Sequence, residues 1–125
     1  MNERAPERDR REDVFVVERP WGRFRQFTRH EPTTVKTITV DPGQRLSLQR
    51  HEHRAELWHV LAGPLDVTVD GRSWVAQVGD LVWVPRGAVH RMGNPGEQEA
   101  VVLELGFGRF DEDDIERLED DYSRR

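Results

Sequence analysis

The stretch GDLVWVPRGAVHRMGN, residues 79–94, decides the fold that we predict for this chain. Two short β-rich runs, LVWV and VHRM, flank the turn-forming residues Pro85 and Gly87. His90 lies in the second run, and Asn94 follows it. The stretch therefore predicts two strands joined by a turn, with His90 as a candidate metal ligand.

A second stretch, PGQRLSLQRHEHRAELWHVLAG at residues 42–63, holds further candidate ligands. Gln49, His51 and His53 alternate along a predicted strand, so they point to one face of it. Glu56 follows after a short break. Imidazole nitrogens with a carboxylate suit zinc, iron, nickel or manganese, and such a set leaves open positions on the metal, as catalysis requires. The two stretches together predict one divalent metal site.

The rest of the chain from Val14 to Phe110 is also typical of β-structure. Short β-rich runs are separated by Gly, Pro, Asp and Asn, and Asp70-Gly71 predicts a tight hairpin turn. Many short strands at close spacing predict an all-β sandwich or barrel.

The last part of the chain, DEDDIERLEDDY at residues 111–122, has a different period. Ile115, Leu118 and Tyr122 fall on one helical face, and acidic residues fill the first turn, where the helix dipole favours them. This segment predicts a short C-terminal α-helix packed on the barrel.

Length and composition limit the class of protein. The 125 residues suit one domain, which we assign to residues 14–125, preceded by a flexible charged tail at 1–13. The absence of cysteine excludes disulfides and thiolate metal sites and fits a reducing cytosol. No apolar run reaches the roughly 20 residues of a membrane span, and the N-terminus lacks the apolar stretch of a signal peptide. We therefore expect a cytoplasmic protein without a membrane partner.

The charge balance indicates what the protein does not bind. The net charge is −5, and acidic residues crowd the C-terminal end. Because an acidic domain repels phosphate backbones, we expect no nucleic-acid partner.

The two stretches resemble the paired motifs of the cupins, G-x5-H-x-H-x3,4-E-x6-G and G-x5-P-x-G-x2-H-x3-N. The second motif matches at every fixed position. The first matches in spacing when Gln49 fills the first histidine position, followed by His51 and Glu56. A competing frame that uses His51 and His53 as the pair fits the spacing less well. The resemblance implies a double-stranded β-helix, or jelly-roll barrel, and a metal held by Gln49, His51, Glu56 and His90.

The resemblance extends to one cupin family. RPWG at 19–22, VKTITVDPGQRLSLQ at 35–49, HRAELW at 53–58 and the closing acidic segment are similar to the C-terminal domain of type II phosphomannose isomerases. Those isomerases use a glutamine among their zinc ligands, so zinc is the expected metal. The transferase domain to which this domain is usually fused is absent, so we expect no guanylyltransferase activity.

The family resemblance implies an aldose–ketose isomerase that interconverts mannose 6-phosphate and fructose 6-phosphate, in carbohydrate metabolism and polysaccharide biosynthesis. A base must carry a proton between two carbons, and both His53 and His59 are candidates. The alternatives are a sugar or sugar-phosphate binding module without turnover and another metal-dependent cupin enzyme. Cupins often pair through edge strands, which implies a homodimer.

A sugar phosphate also needs cations and a polar lining. The following residues are candidates for catalysis or substrate binding: His53 at the cavity mouth, Arg54 where the family has a cavity cation, Lys36 as a lone inward-facing lysine, Arg45 and Ser47 on the face of Gln49, and Trp58 as a sugar platform.

Overall fold

Eleven strands make up nearly all the regular structure of the described part of the chain. The computed structural model describes residues 7–122. In chain order the strands are β1 Phe15–Arg19, β2 Gly22–Gln26, β3 Thr34–Val40, β4 Leu48–Arg50, β5 Arg54–Ala62, β6 Leu65–Val69, β7 Arg72–Ala76, β8 Leu81–Val84, β9 His90–Gly93, β10 Ala100–Gly108 and β11 Glu116–Glu119.

The strands form two antiparallel sheets and a separate hairpin. One sheet has the order β3-β10-β5-β8, the other has the order β11-β4-β9-β6-β7, and β1 pairs only with β2. Apart from β6 and β7, which form a hairpin, neighbours in each large sheet are far apart in sequence, as in a jelly roll, where consecutive strands alternate between sheets. The all-β cupin fold predicted from the sequence is confirmed.

The main core lies between the two sheets and follows from strand alternation. Trp58 and Val60 point inward from β5, and Leu65 and Val67 point inward from β6, each with at most 1% of its surface exposed. Burying one such side chain contributes about 1.5–3 kcal/mol, so this layer stabilises the closure of one sheet on the other.

A second apolar cluster lies on the outer face of the four-stranded sheet. It contains Leu57, Leu105 and Phe107, and the N-terminal segment covers it with Val14 and Phe27. The strands β5 and β10 are therefore apolar on both faces, and this explains their nearly continuous hydrophobic sequences.

The charged segment at 1–13 lies partly outside the described residues, since residues 1–6 are not described. Arg10–Asp13 form one turn of 3-10 helix whose N-cap is Asp9. Arg10 lies over the Phe107 ring at 4.1 Å and pairs with Glu31. The flexibility assigned to this segment and the domain boundary at residue 14 stay predictions.

The predicted C-terminal helix is wrong. Residues 116–119 form β11, which pairs with β4, and Leu118 and Tyr122 are 49% and 46% exposed, so they do not form a buried helical face. Three apolar residues bury too little surface to hold a short helix in this segment. Pairing with β4 instead gives its backbone groups hydrogen-bond partners. Residues 7–122 contain no α-helix, and so none long and apolar enough to cross a membrane.

Candidate metal centre

Three of the four predicted ligands converge between the sheets. His51 follows β4, Glu56 lies on β5 and His90 begins β9, and each is at most 4% exposed. His51 Nε2 lies 3.4 Å from Glu56 Oε2, and His90 Nε2 lies 3.7 Å from Glu56 Oε1. Ligands held tetrahedrally at about 2.1 Å from a metal are about 3.4 Å apart, so the spacing suits one ion.

The outer hydrogen bonds of the two histidines direct their Nε2 atoms into the site. His51 Nδ1 donates to the Asp114 carbonyl at 2.7 Å, and His90 Nδ1 donates to the Ala88 carbonyl at 2.9 Å. A proton fixed on Nδ1 leaves the lone pair on Nε2, as in metal-binding histidines. His90 Nε2 is buried and has no hydrogen-bond partner among residues 7–122. A metal ion would satisfy this atom, so the donor set fits a divalent metal.

Gln49, the fourth predicted ligand, lies directly opposite His90. The two residues are partners across β4 and β9, so their side chains share one face of the sheet. Ser47 is buried, and its hydroxyl donates to Gln49 Oε1 at 3.4 Å. Ser47 therefore lies beside the site as the sequence predicts, where it can orient the amide.

Glu56 is hydrogen-bonded in a way that favours its charged form. Trp58 Nε1 donates to Oε1 at 3.0 Å, and Arg54 Nε donates to Oε2 at 3.0 Å. Burial by itself would raise the pKa of Glu56, but His90 and the surrounding hydrogen bonds hold that pKa below its ordinary value. The carboxylate needed by a metal is thus present at neutral pH.

Trp58 differs from its predicted role as a sugar platform. Its side chain is 1% exposed and meets the His90 ring edge-on, with 5.7 Å between ring centroids. No face of the indole is free for a sugar to stack on. Its contribution to the site is the hydrogen bond to Glu56.

Glu104 is a site residue that the sequence interpretation missed. It projects inward from β10, is 4% exposed and hydrogen-bonds to Glu56. Burial and the nearby Glu56 raise the pKa of Glu104 to about 8, so its carboxyl group is protonated at neutral pH. The signal was available, because Glu104 is the only charged residue in the apolar run AVVLELGFG.

Asp114 is a second residue that the interpretation did not assign to the site. Its carboxylate accepts hydrogen bonds from the backbone N–H groups of Glu52 and His53, both at 2.9 Å. Together with the bond from its carbonyl to His51, these contacts tie the acidic C-terminal segment to the loop that carries a predicted ligand.

Arg45 lies elsewhere than predicted, whereas the roles predicted for His53 and Lys36 stay predictions. Arg45 is exposed and pairs with Asp121 at 2.7 Å, because residue 45 makes only an isolated bridge and the alternation predicted through residue 47 is broken there. The side chain of His53 is 57% exposed and is not among the grouped ligand residues. Lys36 is not alone, since its Nζ lies 3.6 Å from both Glu104 and Glu112.

His59, one of the two candidate bases, points away from the site. On β5 it alternates with Trp58 and therefore lies on the outer face of the sheet, where its ring packs against Phe27 at 5.0 Å between centroids. Burial lowers its pKa, since the charged form loses hydration there. This position excludes His59 as the base for a substrate in the metal centre.

The two antiparallel sheets and the His–Glu–His cluster that they enclose place this protein in the class of cupins. The profile of the family described as "Mannose-6-phosphate isomerase C-terminal" matches residues 6–120. The chain belongs to this family.

Named relatives agree with this assignment. Alginate biosynthesis protein AlgA of Pseudomonas aeruginosa is 44% identical over 109 residues, which is 86% of this chain and 23% of that protein. Mannose-1-phosphate guanylyltransferase ManC of Salmonella typhimurium is 41% identical over 109 residues, which is again 86% of this chain and 23% of that protein. This chain therefore spans less than a quarter of the length of these relatives.

Solved structures support the fold. The capsular polysaccharide assembling protein CapF of Staphylococcus aureus aligns with a TM-score of 0.65 and 19% identity, over 85% of this chain and 34% of that protein. At this identity the likeness shows the fold alone.

Proposed function

We propose that this protein is a metal-dependent aldose–ketose isomerase that interconverts mannose 6-phosphate and fructose 6-phosphate. The observation that carries the proposal is the buried cluster of His51, Glu56 and His90, in which His90 Nε2 has no hydrogen-bond partner. Membership of the mannose-6-phosphate isomerase family supports the substrate class. The name of the relative AlgA supports a place in polysaccharide biosynthesis.

The metal proposed is zinc, held by Gln49, His51, Glu56 and His90. When bound, it supplies Lewis acidity that stabilises negative charge developing on the sugar oxygens. Trp58 orients one of these ligands, because its Nε1 donates to the Glu56 carboxylate.

The isomerisation moves a proton between C1 and C2 of the open-chain sugar through an enediol. Both histidines and Glu56 are almost fully buried, and such burial would limit the access of water to the enediol. Lys36 and Arg54 are the cations proposed for the substrate phosphate. Arg45 is left out of this set because it pairs with Asp121 on the surface.

A coupled assay tests the proposal. Metal-free protein is loaded with zinc, cobalt, manganese or nickel, and the formation of fructose 6-phosphate from mannose 6-phosphate is followed. Turnover with at least one metal is expected, and His90→Ala should abolish it. His59→Ala is the matched control, because it removes an imidazole from the outer face of the four-stranded sheet, away from the metal centre.

A binding module without turnover is the second candidate. It is favoured by one observation, that Arg54 already pairs with Glu56 and contacts His51 as an internal cation. Saturable binding of mannose 6-phosphate without turnover under all four metals would support the module. Absence of both binding and turnover would contradict both candidates.

We also propose a homodimer. The hairpin β1–β2 has no third strand among residues 7–122, and its residues Phe15, Val16 and Trp21 are 46%, 52% and 73% exposed. A lone hairpin gains stability when its apolar side chains pack on another surface. Light scattering coupled to gel filtration should give a dimer mass that Trp21→Ser lowers. A monomer mass at every concentration would refute the proposal.

A further inference from the structure

Arg54 is an internal cation, and each of its three guanidinium nitrogens has a hydrogen-bond partner. The residue is 6% exposed. Its Nε donates to Glu56 Oε2 at 3.0 Å, and one terminal nitrogen donates to the Asp111 carbonyl at 3.2 Å. The other terminal nitrogen lies 3.1 Å from His51 Nε2. The guanidinium carbon also lies 4.0 Å from the centroid of the Phe110 ring.

The contact between Arg54 and His51 shows which ring nitrogen of His51 carries the lone pair that accepts the hydrogen bond. A guanidinium has donors only, so Arg54 must donate in this contact. The Nδ1 proton of His51 is committed to the Asp114 carbonyl, so the accepting lone pair is on Nε2. That lone pair is the one with which His51 would bind a metal, and it can serve one partner at a time.

The two histidines of the site therefore differ. His90 Nε2 has no hydrogen-bond partner, whereas His51 Nε2 accepts from Arg54. Glu56 Oε2, which faces His51 at 3.4 Å, accepts from the same guanidinium. Arg54 thus covers one side of the site and leaves the His90 side open.

We propose that Arg54 competes with the metal ion for His51 and Glu56, so that metal binding displaces its guanidinium and frees it for an anionic group of the substrate. This inference rests on the metal site of the proposed function. The displaced Nε and terminal N–H form a planar fork, which suits a phosphate group. Metal binding and anion binding then favour each other, because coupling between two ligands is reciprocal.

Metal affinity of the whole chain tests the competition without any need for turnover. Zinc and cobalt dissociation constants are measured against a chromophoric chelator for wild type and for Arg54→Ala. Losing the competing charge-assisted hydrogen bonds should tighten metal binding by at least about tenfold. The same or weaker binding by Arg54→Ala would overturn the proposal.

A matched control separates competition for the ligand atoms from the effect of removing one positive charge. Arg109 lies near the same loop, its side chain is 75% exposed, and its ion-pair partner is Asp111 rather than a ligand. Arg109→Ala also removes one positive charge, and its metal affinity should stay within about twofold of wild type because exposed charges interact weakly. An equal gain in Arg109→Ala and Arg54→Ala would show a charge effect alone and refute competition.

A conservative variant guards against misfolding of Arg54→Ala. Arg54→Lys keeps the charge and the aliphatic stem, but a single ammonium group lacks the fork that reaches His51 and Glu56 together. It should bind zinc more tightly than wild type by a smaller factor, and wild-type affinity or weaker would count against the proposal.

Nitrogen-15 NMR of the wild type gives a direct readout. Zinc should move the Arg54 Nε–H resonance away from its position in the metal-free protein, and an unchanged resonance at saturating zinc would overturn the displacement. A protein that binds zinc with these responses and does not isomerise sugar phosphates would refute the proposed function but not this inference. No zinc binding by either wild type or Arg54→Ala would refute both.

Discussion

Glu104→Gln should stabilise the metal-free protein at neutral pH and have little effect near pH 4.5. Glu104 is buried beside Glu56, and its pKa rises from an ordinary value of 4.5 to about 8. Glutamine has nearly the same shape as a protonated glutamate, and its amide can donate to Glu56 in the same way. The substitution therefore removes the titration and keeps the hydrogen bond.

The sign and size follow from proton linkage. Between pH 4.5 and 8 the folded protein keeps a proton on Glu104 that the unfolded chain has released, so the free energy of unfolding falls as pH rises through this window. Each pH unit above the unfolded pKa costs about 1.4 kcal/mol, which amounts to about 3 kcal/mol at pH 7. Glu104→Gln should recover this amount.

Urea unfolding in the presence of a chelator, at pH values from 4.5 to 8.5, measures the effect. The gain of Glu104→Gln over wild type should grow with pH up to about 8 and then level off. Glu112→Gln is the control, because Glu112 lies at the same 3.6 Å from Lys36 but its side chain is 77% exposed. A gain that is constant with pH, or an equal gain in the control, would refute the assigned protonation.

Three further predictions concern the site and its surroundings. Gln49→Ala should lower zinc affinity in a chelator competition while His53→Ala leaves it unchanged, and the reverse result would favour the competing ligand frame. Asp114→Ala should lower the free energy of unfolding by about 1–3 kcal/mol in urea, since two backbone N–H groups lose their acceptor; stability equal to wild type would contradict this role. Arg45→Ala should leave the KM for mannose 6-phosphate unchanged in the coupled assay, because Arg45 pairs with Asp121 on the surface, and a severalfold rise would place Arg45 in the substrate site.

The sequence predicted the fold well because the signals that specify it are local. Turn residues such as Gly79, Pro85 and Gly87 separate runs with strand propensity, and the spacing of residues within each of the two stretches resembled the paired motifs of a known barrel. Alternation predicted that Gln49, His51 and His53 share one face, and of these His51 is buried whereas His53 is exposed, because β4 ends at Arg50. A strand's period of two is set by its backbone, so it can be recognised without knowledge of any partner.

Local patterns failed where distant contacts outweighed them. The helical period of the C-terminal segment lost to pairing with β4, and Arg45 turned outward because the chain makes only an isolated bridge there. Glu104 stood out in its strand, but its raised pKa depends on the position of Glu56, which comes from another strand.

The sequence by itself determined an all-β fold, because strand periodicity and turn residues act over a few neighbours, and its resemblance to the cupin motifs implied that His51, Glu56 and His90 point into the barrel. Only the tertiary structure decided which hydrogen-bond partners each of these side chains has. Whether the lone pair of His51 Nε2 is open or takes a hydrogen bond from Arg54 depends on how segments far apart in sequence pack together, and that packing energy is distributed over the whole core.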